Sequence, residues 1–285
     1  EIRQRVQQRL GGAADGTSLE VAAAPIRAVI DEMYLGGVDG HTLFVPAARM
    51  SLIPDWSASA PAGQTLDGGI GYLAVPSFSG SAEQSQRFVA ELHARISDQE
   101  AAASCGWIID LRSNEGGQGV PMVMGVSPFL SPGLIVTTRN VAGDELIAEL
   151  TADGAVANDG QVAEWQHDVA LPPDPVLSAQ PVAVLIGPLT ASAAESTAIA
   201  FIGRDNTAFF GEPSAALATS PEWFPLLDGS LLMVTSGWLS GPHGAIYPDG
   251  IAPDVTVSTG SPVEPIDDDP VIQAASEWLE QQPGC

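Results

Sequence analysis

The chain has 285 residues, 45% of them hydrophobic, and sets 35 acidic side chains against ten basic ones for a formal net charge of −25. Apolar material suffices for a sizeable core, in a single large α/β domain with a small appended subdomain. Negative charge in this excess repels the phosphates of nucleic acids and anionic membranes, which excludes nucleic acid as a partner.

In chain order, Ser18 to Tyr34 reads as the first helix, with Ser18 as N-cap and Leu19, Ala22, Ala23, Ile26, Val29, Ile30 and Met33 at helical spacing. Pro25 kinks it or marks its start, and Gly36-Gly37 ends it. The loop Val38-Asp-Gly-His-Thr42 leads to Leu43-Phe-Val45, and residues 54 to 69, rich in Pro, Ser, Ala and Gly, read as irregular surface chain. Residues 1–69 are therefore expected to form an N-terminal helical subdomain and residues 70–285 an α/β core. Within the core, strands are predicted at Tyr72–Val75, Trp107–Leu111, Leu134–Thr138, 182–186 and Ala208–Phe210, with helices over 82–103 and from Ser192 to about Gly203. Trp107-Ile-Ile-Asp-Leu111 has the unbroken apolar character of a strand buried on both faces. Residues 140 to 175 read as a hairpin-rich excursion, two strands fall within 224–239 around Asp228-Gly229, and 267–279 reads as a capped C-terminal helix. Strands alternating with helices predict a parallel or mixed sheet with helical cover.

No apolar run reaches the roughly 18 residues of a membrane span. Cys105 and Cys285 are the two cysteines; they make neither a metal cluster nor a disulfide framework, and one bridge between them stays open. Cys-x-x-Cys and His-Glu-x-x-His spacings are absent, which argues against zinc. The chain starts at Glu1, which fits removal of a signal segment or trimming; with the acidity, an extracellular or periplasmic location is expected.

The residue with most chemical promise is Ser192 in Thr190-Ala-Ser-Ala-Ala-Glu195, placed after an apolar strand and at a helix start. Small neighbours leave space above its hydroxyl, and backbone N–H groups free at a helix start suit an acyl-transfer oxyanion; a plain helix cap has the same appearance. Gly116-Gly117 lets the backbone approach a ligand closely, or simply ends a strand. The chain contains no lysine, and an arginine near neutral pH is a poor base, so a catalytic serine must pass its proton to a histidine or carboxylate.

Six segments occur in an order that resembles the C-terminal processing peptidase and tricorn-core family: Gly71–Phe78, Ile109–Gly117, Thr190–Glu195, Phe210–Ser214, Leu227–Ser230 and Gly250–Asp254. The resemblance spans roughly residues 70 to 280. It implies a crotonase-like or ClpP-like mixed-sheet core and serine peptidase chemistry, with Ser192 as nucleophile and the N–H groups of Ala193 and of Gly116 or Gly117 as oxyanion donors. The processing-peptidase branch uses a lysine where this chain has about Leu217, so a Ser/Lys dyad is excluded. The stretch from His41 to Tyr72 is also shorter than the roughly 50 residues a compact domain needs, which leaves no room for that branch's PDZ domain.

The tricorn branch takes its base from a histidine upstream of the core, and His41 matches that place. An imidazole with a pKa near ~6.5 can accept the serine proton. His243 is the rival; His93, on a helix flank, and His167, in the excursion, are expected to be solvated. The family's orienting carboxylate corresponds to Asp249, with Glu195 and Asp39 as alternatives, and Gly40 stands where the tricorn branch has a serine. The expected function is a serine hydrolase that cleaves peptides or proteins through an acyl-enzyme, with no metal or organic cofactor. The alternatives are a non-catalytic peptide- or ligand-binding relative and an esterase.

Overall fold

The computed structural model describes residues 28–30, 40–52, 55–57, 60–140, 142–169, 177–258, 266–283 and 285. Its strands are β1 (Leu43–Val45), β2 (Ala62–Leu66), β3 (Ile70–Ala74), β4 (Gly106–Asp110), β5 (Gly133–Asn140), β6 (Glu145–Leu150), β7 (Val156–Asn158), β8 (Gln161–Val162), β9 (Val182–Ile186), β10 (Thr207–Gly211), β11 (Thr219–Pro225), β12 (Leu231–Ser240) and β13 (Val255–Thr256). The helices are α1 (Ala82–Glu100), α2 (Gly119–Gly125), α3 (Ala193–Ile199) and α4 (Pro270–Leu279). The helix expected over 18–34 lies outside the described residues except for 28–30, which are helical. Asp39 lies outside them as well.

Contacts divide the chain into two units, Glu1–Pro54 with Thr219–Gly237, and Asp55–Ala218 with Trp238–Cys285. The boundary therefore falls before residue 69, for a local reason. Ala62–Leu66, inside the stretch expected to be irregular, is a strand paired antiparallel to β3 from Ala62↔Ala74 to Leu66↔Ile70, so it belongs with the core. Asp67-Gly68-Gly69, with both glycines at positive φ, makes the hairpin turn that joins them.

The larger unit is built on a six-stranded sheet in the order β13-β10-β9-β4-β3-β2. All its pairs are parallel except β2 with β3. Every residue of β4 and of β9 is buried, as unbroken apolar runs covered on both faces require. The pleat sends alternate side chains to opposite sides. Trp107, Ile109, Val182, Val184 and Ile186 join the core with Phe88, Val89, Leu92 and Ile96 of α1, while Ile108, Ala183 and Leu185 pack with Val271, Ile272, Ala275 and Leu279 of α4. Helix α1 starts at a capping box made by Ser81 and Gln84. The predicted excursion is an antiparallel meander, β5 to β8, in which Asp159-Gly160, both at positive φ, form the β7–β8 turn.

Helix α4 is held at both ends. Asp269 caps it by accepting from Val271 N–H at 2.9 Å and also takes both contacts of Arg112 Nη1, at 3.0 and 2.8 Å. Beyond its C-terminal end, Cys285 forms a disulfide with Cys105, just before β4.

In the smaller unit, β1 pairs antiparallel with β12 from Leu43↔Met233 to Val45↔Leu231, and β11 pairs with β12. Asp228 closes the β11–β12 turn by accepting from Ser230 N–H at 2.9 Å. Ser230 Oγ in turn accepts from Ala47 N–H at 3.1 Å, and Thr42 Oγ1 from Thr235 N–H at 3.0 Å.

Candidate active site

Strand β9 runs buried to Ile186, and the chain then turns sharply into α3. Fully buried Thr190 closes that turn: its hydroxyl accepts from Gly187 N–H and donates to the Leu111 carbonyl, both at 2.9 Å. Ser192 sits at the apex with φ 55° and ψ −114°. A non-glycine residue held there costs about 1–3 kcal/mol, and such strain concentrates at functional positions. Buried Ala191, Ala193 and Ala194 leave room for the bend.

The turn after β4 packs directly on Ser192. A Cβ at Gly116, φ 106°, would stand 2.9 Å from both the Ala191 carbonyl oxygen and Ser192 Cβ, and 3.3 Å from Ala193 N, so only glycine fits. Backbone N–H groups in so tight a place can be accounted for one by one. Asn114 N–H donates to Leu111 O at 3.0 Å, Glu115 N–H to Ser77 Oγ at 2.7 Å, Gly116 N–H to Asn114 Oδ1 at 2.9 Å, and Gln118 N–H to Phe78 O at 2.7 Å. Gly117 N–H has no acceptor among the described residues. On the serine side, Ala191 N–H donates to Asn114 O at 3.1 Å, Ser192 N–H to Glu195 Oε2 at 2.9 Å and Ala194 N–H to Ala191 O at 2.9 Å. Ala193 N–H is left in the same state as Gly117. Ala193 N–H, next to the serine, and Gly117 N–H, one residue past the glycine that packs on it, are thus both open, whereas Gly116 N–H is engaged. Open N–H groups of this kind suit an oxygen that gains negative charge.

Glu195 is completely buried. Besides the Ser192 N–H, it accepts from Leu217 N–H at 2.9 Å and from Ser214 Oγ at 2.6 Å, and Ser214 Oγ accepts from Ile251 N–H at 2.7 Å. Burial pushes its carboxyl above the ordinary glutamate range against the pull of these hydrogen bonds. Glu195 is therefore a brace between the serine turn and the 214–217 loop, and its lone pairs are taken up there rather than by an imidazole.

The four histidines have distinct surroundings. His41, in the smaller unit, is buried, and its Nδ1 lies 2.7 Å from Thr219 Oγ1. His243 is exposed beside Gly203, where a Cβ would come within 2.5 Å of its Nε2. Gly203 lies eleven residues past Ser192, beyond the far end of α3. His93 is half-buried with Nε2 2.9 Å from the Met124 carbonyl oxygen, so it is not solvated as expected, because the flank of α1 that carries it packs on α2. His167 is exposed, in a 3-10 turn tied to α1 through Gln86 Nε2 and the Trp165 carbonyl at 3.0 Å.

Asp249, expected to orient the base, is exposed on the turn closed by Gly250 N–H and Tyr247 O, and no hydrogen bond joins it to another described residue. The group at His41 Nδ1 is instead a hydroxyl, that of Thr219. Sequence reasoning also missed Asn114, although it lies inside the Asn-Glu-Gly-Gly segment that drew attention to the glycines, and Ser214. A cavity of about 500 Å3 opens at the C-terminal ends of β3 and β4, lined by Ala62, Gln64, Ala74, Pro76, Asp110 and Ser113 among others. Among the described residues no cluster of His, Cys, Asp and Glu side chains could hold a metal ion, and no helix is long and apolar enough to cross a membrane.

The nisin-resistance protein of Lactococcus lactis subsp. lactis is 28% identical over 218 residues, covering 76% of this chain and 62% of that protein. The carboxy-terminal-processing protease of Bartonella bacilliformis is 27% identical over 202 residues, covering 69% of this chain and 41% of that protein. The chain thus spans less than two thirds of the length of these relatives. A solved lipoprotein structure from Streptococcus agalactiae shares the fold with a TM-score of 0.73 at 22% identity, over 98% of this chain and 87% of that one. Residues 69–257, which contain five of the six strands of that sheet, the glycine turn and Ser192, match the description of Peptidase family S41. On that match, the chain belongs to peptidase family S41.

Proposed function

We propose that the chain is a serine peptidase acting on peptide or protein substrates, with Ser192 as nucleophile, His41 as general base, and the N–H groups of Ala193 and Gly117 as oxyanion donors. The observation that carries this reading is Ser192 at a strained turn packed on Gly116, with the N–H groups of the adjoining residues Ala193 and Gly117 left without acceptors among the described residues. Ser192 Oγ attacks the scissile carbonyl carbon while His41 takes its proton; the carbonyl oxygen becomes the oxyanion, and the same proton then goes to the leaving amine. Water repeats the sequence on the acyl-enzyme. His41 is taken as the base because it matches the place of the histidine in the tricorn branch, in a chain without lysine; of the other histidines, His243 lies beyond the far end of α3, His93 is engaged with Met124, and His167 sits in the exposed 3-10 turn after β8. The Thr219 hydroxyl, 2.7 Å from Nδ1 of His41, holds the ring of that imidazole. The Cys105–Cys285 disulfide and relatives named a nisin-resistance protein and a lipoprotein support a cell-envelope or extracellular location.

A fluorophosphonate probe should label the wild type and fail on Ser192→Ala, with hydrolysis lost in parallel. Equal labelling of both proteins would sink the assignment. The cavity of about 500 Å3 beside Asp110 favours one second reading, a ligand-binding relative that keeps the core. Under that reading the wild type turns over no member of a peptide and ester library, and His41→Ala changes nothing measurable.

A further inference from the structure

Asn114 is completely buried, and every polar atom it has is used. Its side-chain Nδ2 donates to the Val75 and Pro76 carbonyls at 3.0 and 3.1 Å, and its Oδ1 accepts the Gly116 N–H at 2.9 Å. Its backbone carbonyl accepts the Ala191 N–H at 3.1 Å and its backbone N–H donates to Leu111. The exit of β3, the glycine turn and the turn into Ser192 therefore meet on one residue.

We propose that Asn114 is the positioning residue of the oxyanion site. By taking the Gly116 N–H into its own side chain, it curls the turn so that the next N–H, that of Gly117, is the one presented. By taking the Ala191 N–H, it sets where Ser192 and Ala193 stand beside that turn. This inference rests on the reading of Ser192 as nucleophile. Asn114 touches no reacting atom and acts through Gly116, Gly117 and Ala191.

The amide chemistry is specific. The Nδ2 position faces two carbonyl oxygens, which only a donor satisfies, and the Oδ1 position faces an N–H, which only an acceptor satisfies. A carboxylate of the same size puts a lone pair against two carbonyls in a buried site, where an unmatched polar group is costly.

The test is Asn114→Asp, with active enzyme counted by fluorophosphonate titration, kcat and KM measured on a substrate of the wild type, and affinity for a peptide aldehyde whose serine adduct carries the oxyanion. The expected result is a kcat lower by about 10²–10³ with KM within about threefold, and an aldehyde affinity that falls by the same factor as kcat/KM. A merely structural residue would lower the fraction of titratable enzyme and leave both constants of that fraction unchanged. If Asn114→Asp does not fold, Asn114→Ser, which keeps a donor and acceptor at shorter reach, should show the same coupled loss. Folded variant with kcat within threefold of wild type, or with unchanged aldehyde affinity, overturns the proposal alone. Hydrolysis and labelling that survive Ser192→Ala overturn the nucleophile reading and this inference together.

Discussion

The backbone N–H of Ser192 donates to Glu195 Oε2 at 2.9 Å, so the residue three positions along holds the strained φ of the serine in place. The same carboxylate holds Leu217 N–H and the Ser214 hydroxyl without any exposure to water. Glu195→Ala would leave the N–H groups of Ser192 and Leu217 and the buried Ser214 hydroxyl unmet, at a cost on the order of 3–5 kcal/mol, and would free Ser192 to relax from its bend. Urea unfolding should show that loss, and fluorophosphonate labelling of the folded fraction should slow. Glu195→Gln keeps one acceptor oxygen and should cost less than half as much. It also removes a titration. Because burial raises the folded-state pKa above the unfolded value, near 4.5, the folded state holds this proton more tightly. That contribution to stability is present below the unfolded value and disappears as pH rises through the folded one. The stability gap between wild type and Glu195→Gln should therefore shrink as pH rises from about 4.5, measured as unfolding free energy across a pH series.

Arg112 holds two carboxylates in a buried cluster. Its Nε and Nη2 bond Asp110, the latter at 2.7 Å, its Nη1 bonds Asp269, and Tyr72 donates to Asp110 Oδ2 at 2.9 Å. Burial first, and then the Asp110 charge, push the Tyr72 phenol far above its ordinary range, so it remains a neutral donor. Arg112→Met would strand two buried carboxylates, with an expected loss of about 3–5 kcal/mol; Arg112→Lys keeps the charge but not the fork and should lose less. Because Asp269 also caps α4, the loss should appear early in hydrogen exchange of α4 amides, ahead of those in β9.

Much of this arrangement was legible in the sequence because it depends on short-range rules. Unbroken apolar runs gave β4 and β9, periodicity gave α1, and Asp-Gly turns gave the meander. Strand β2 was not legible, since Ala62 and Gly63 carry little strand propensity and pair only because β3 offers an edge. The glycines of the candidate site announced a close approach, but which N–H remained open depended on the Asn114 side chain, and hydrogen-bond accounting needs coordinates. For His41 the sequence offered a place and, in Asp249, a carboxylate to orient it, whereas the group 2.7 Å from its Nδ1 is a hydroxyl. Thr219 is 178 residues away along the chain, and nothing in either segment encodes the bond.

The Cys105–Cys285 bridge closes a span of 180 residues. Loop-closure entropy for so long a span gives about 5 kcal/mol, and measured effects commonly fall to about 2–5 kcal/mol. Reduction, or Cys105→Ser with Cys285→Ser, should lower Tm on the order of 10 °C. The activity of the folded protein at 25 °C should stay near that of wild type, because Asp269 and Arg112 still hold the other end of α4. A melting curve with and without reductant checks the first expectation, and an assay below the transition checks the second.

With His41 as the base, Thr219 is the residue that holds its ring. The hydroxyl lies 2.7 Å from Nδ1, where it can donate or accept, and the bond restricts how the imidazole turns. Thr219→Val keeps the shape of the side chain but removes the hydroxyl, so the ring loses that hold on its orientation. Losing one hydrogen bond of this kind is worth about 1–1.5 kcal/mol, or roughly tenfold in kcat. Thr219→Ser restores the hydroxyl and should recover most of the rate. The pH profile of kcat/KM should rise along an acid limb that has the same midpoint in wild type and the serine variant, as one imidazole loses its proton. Steady-state kinetics of the two variants from pH 5 to 9 would decide it, since a purely structural Thr219 would leave the serine and valine enzymes with the same kcat on the folded fraction.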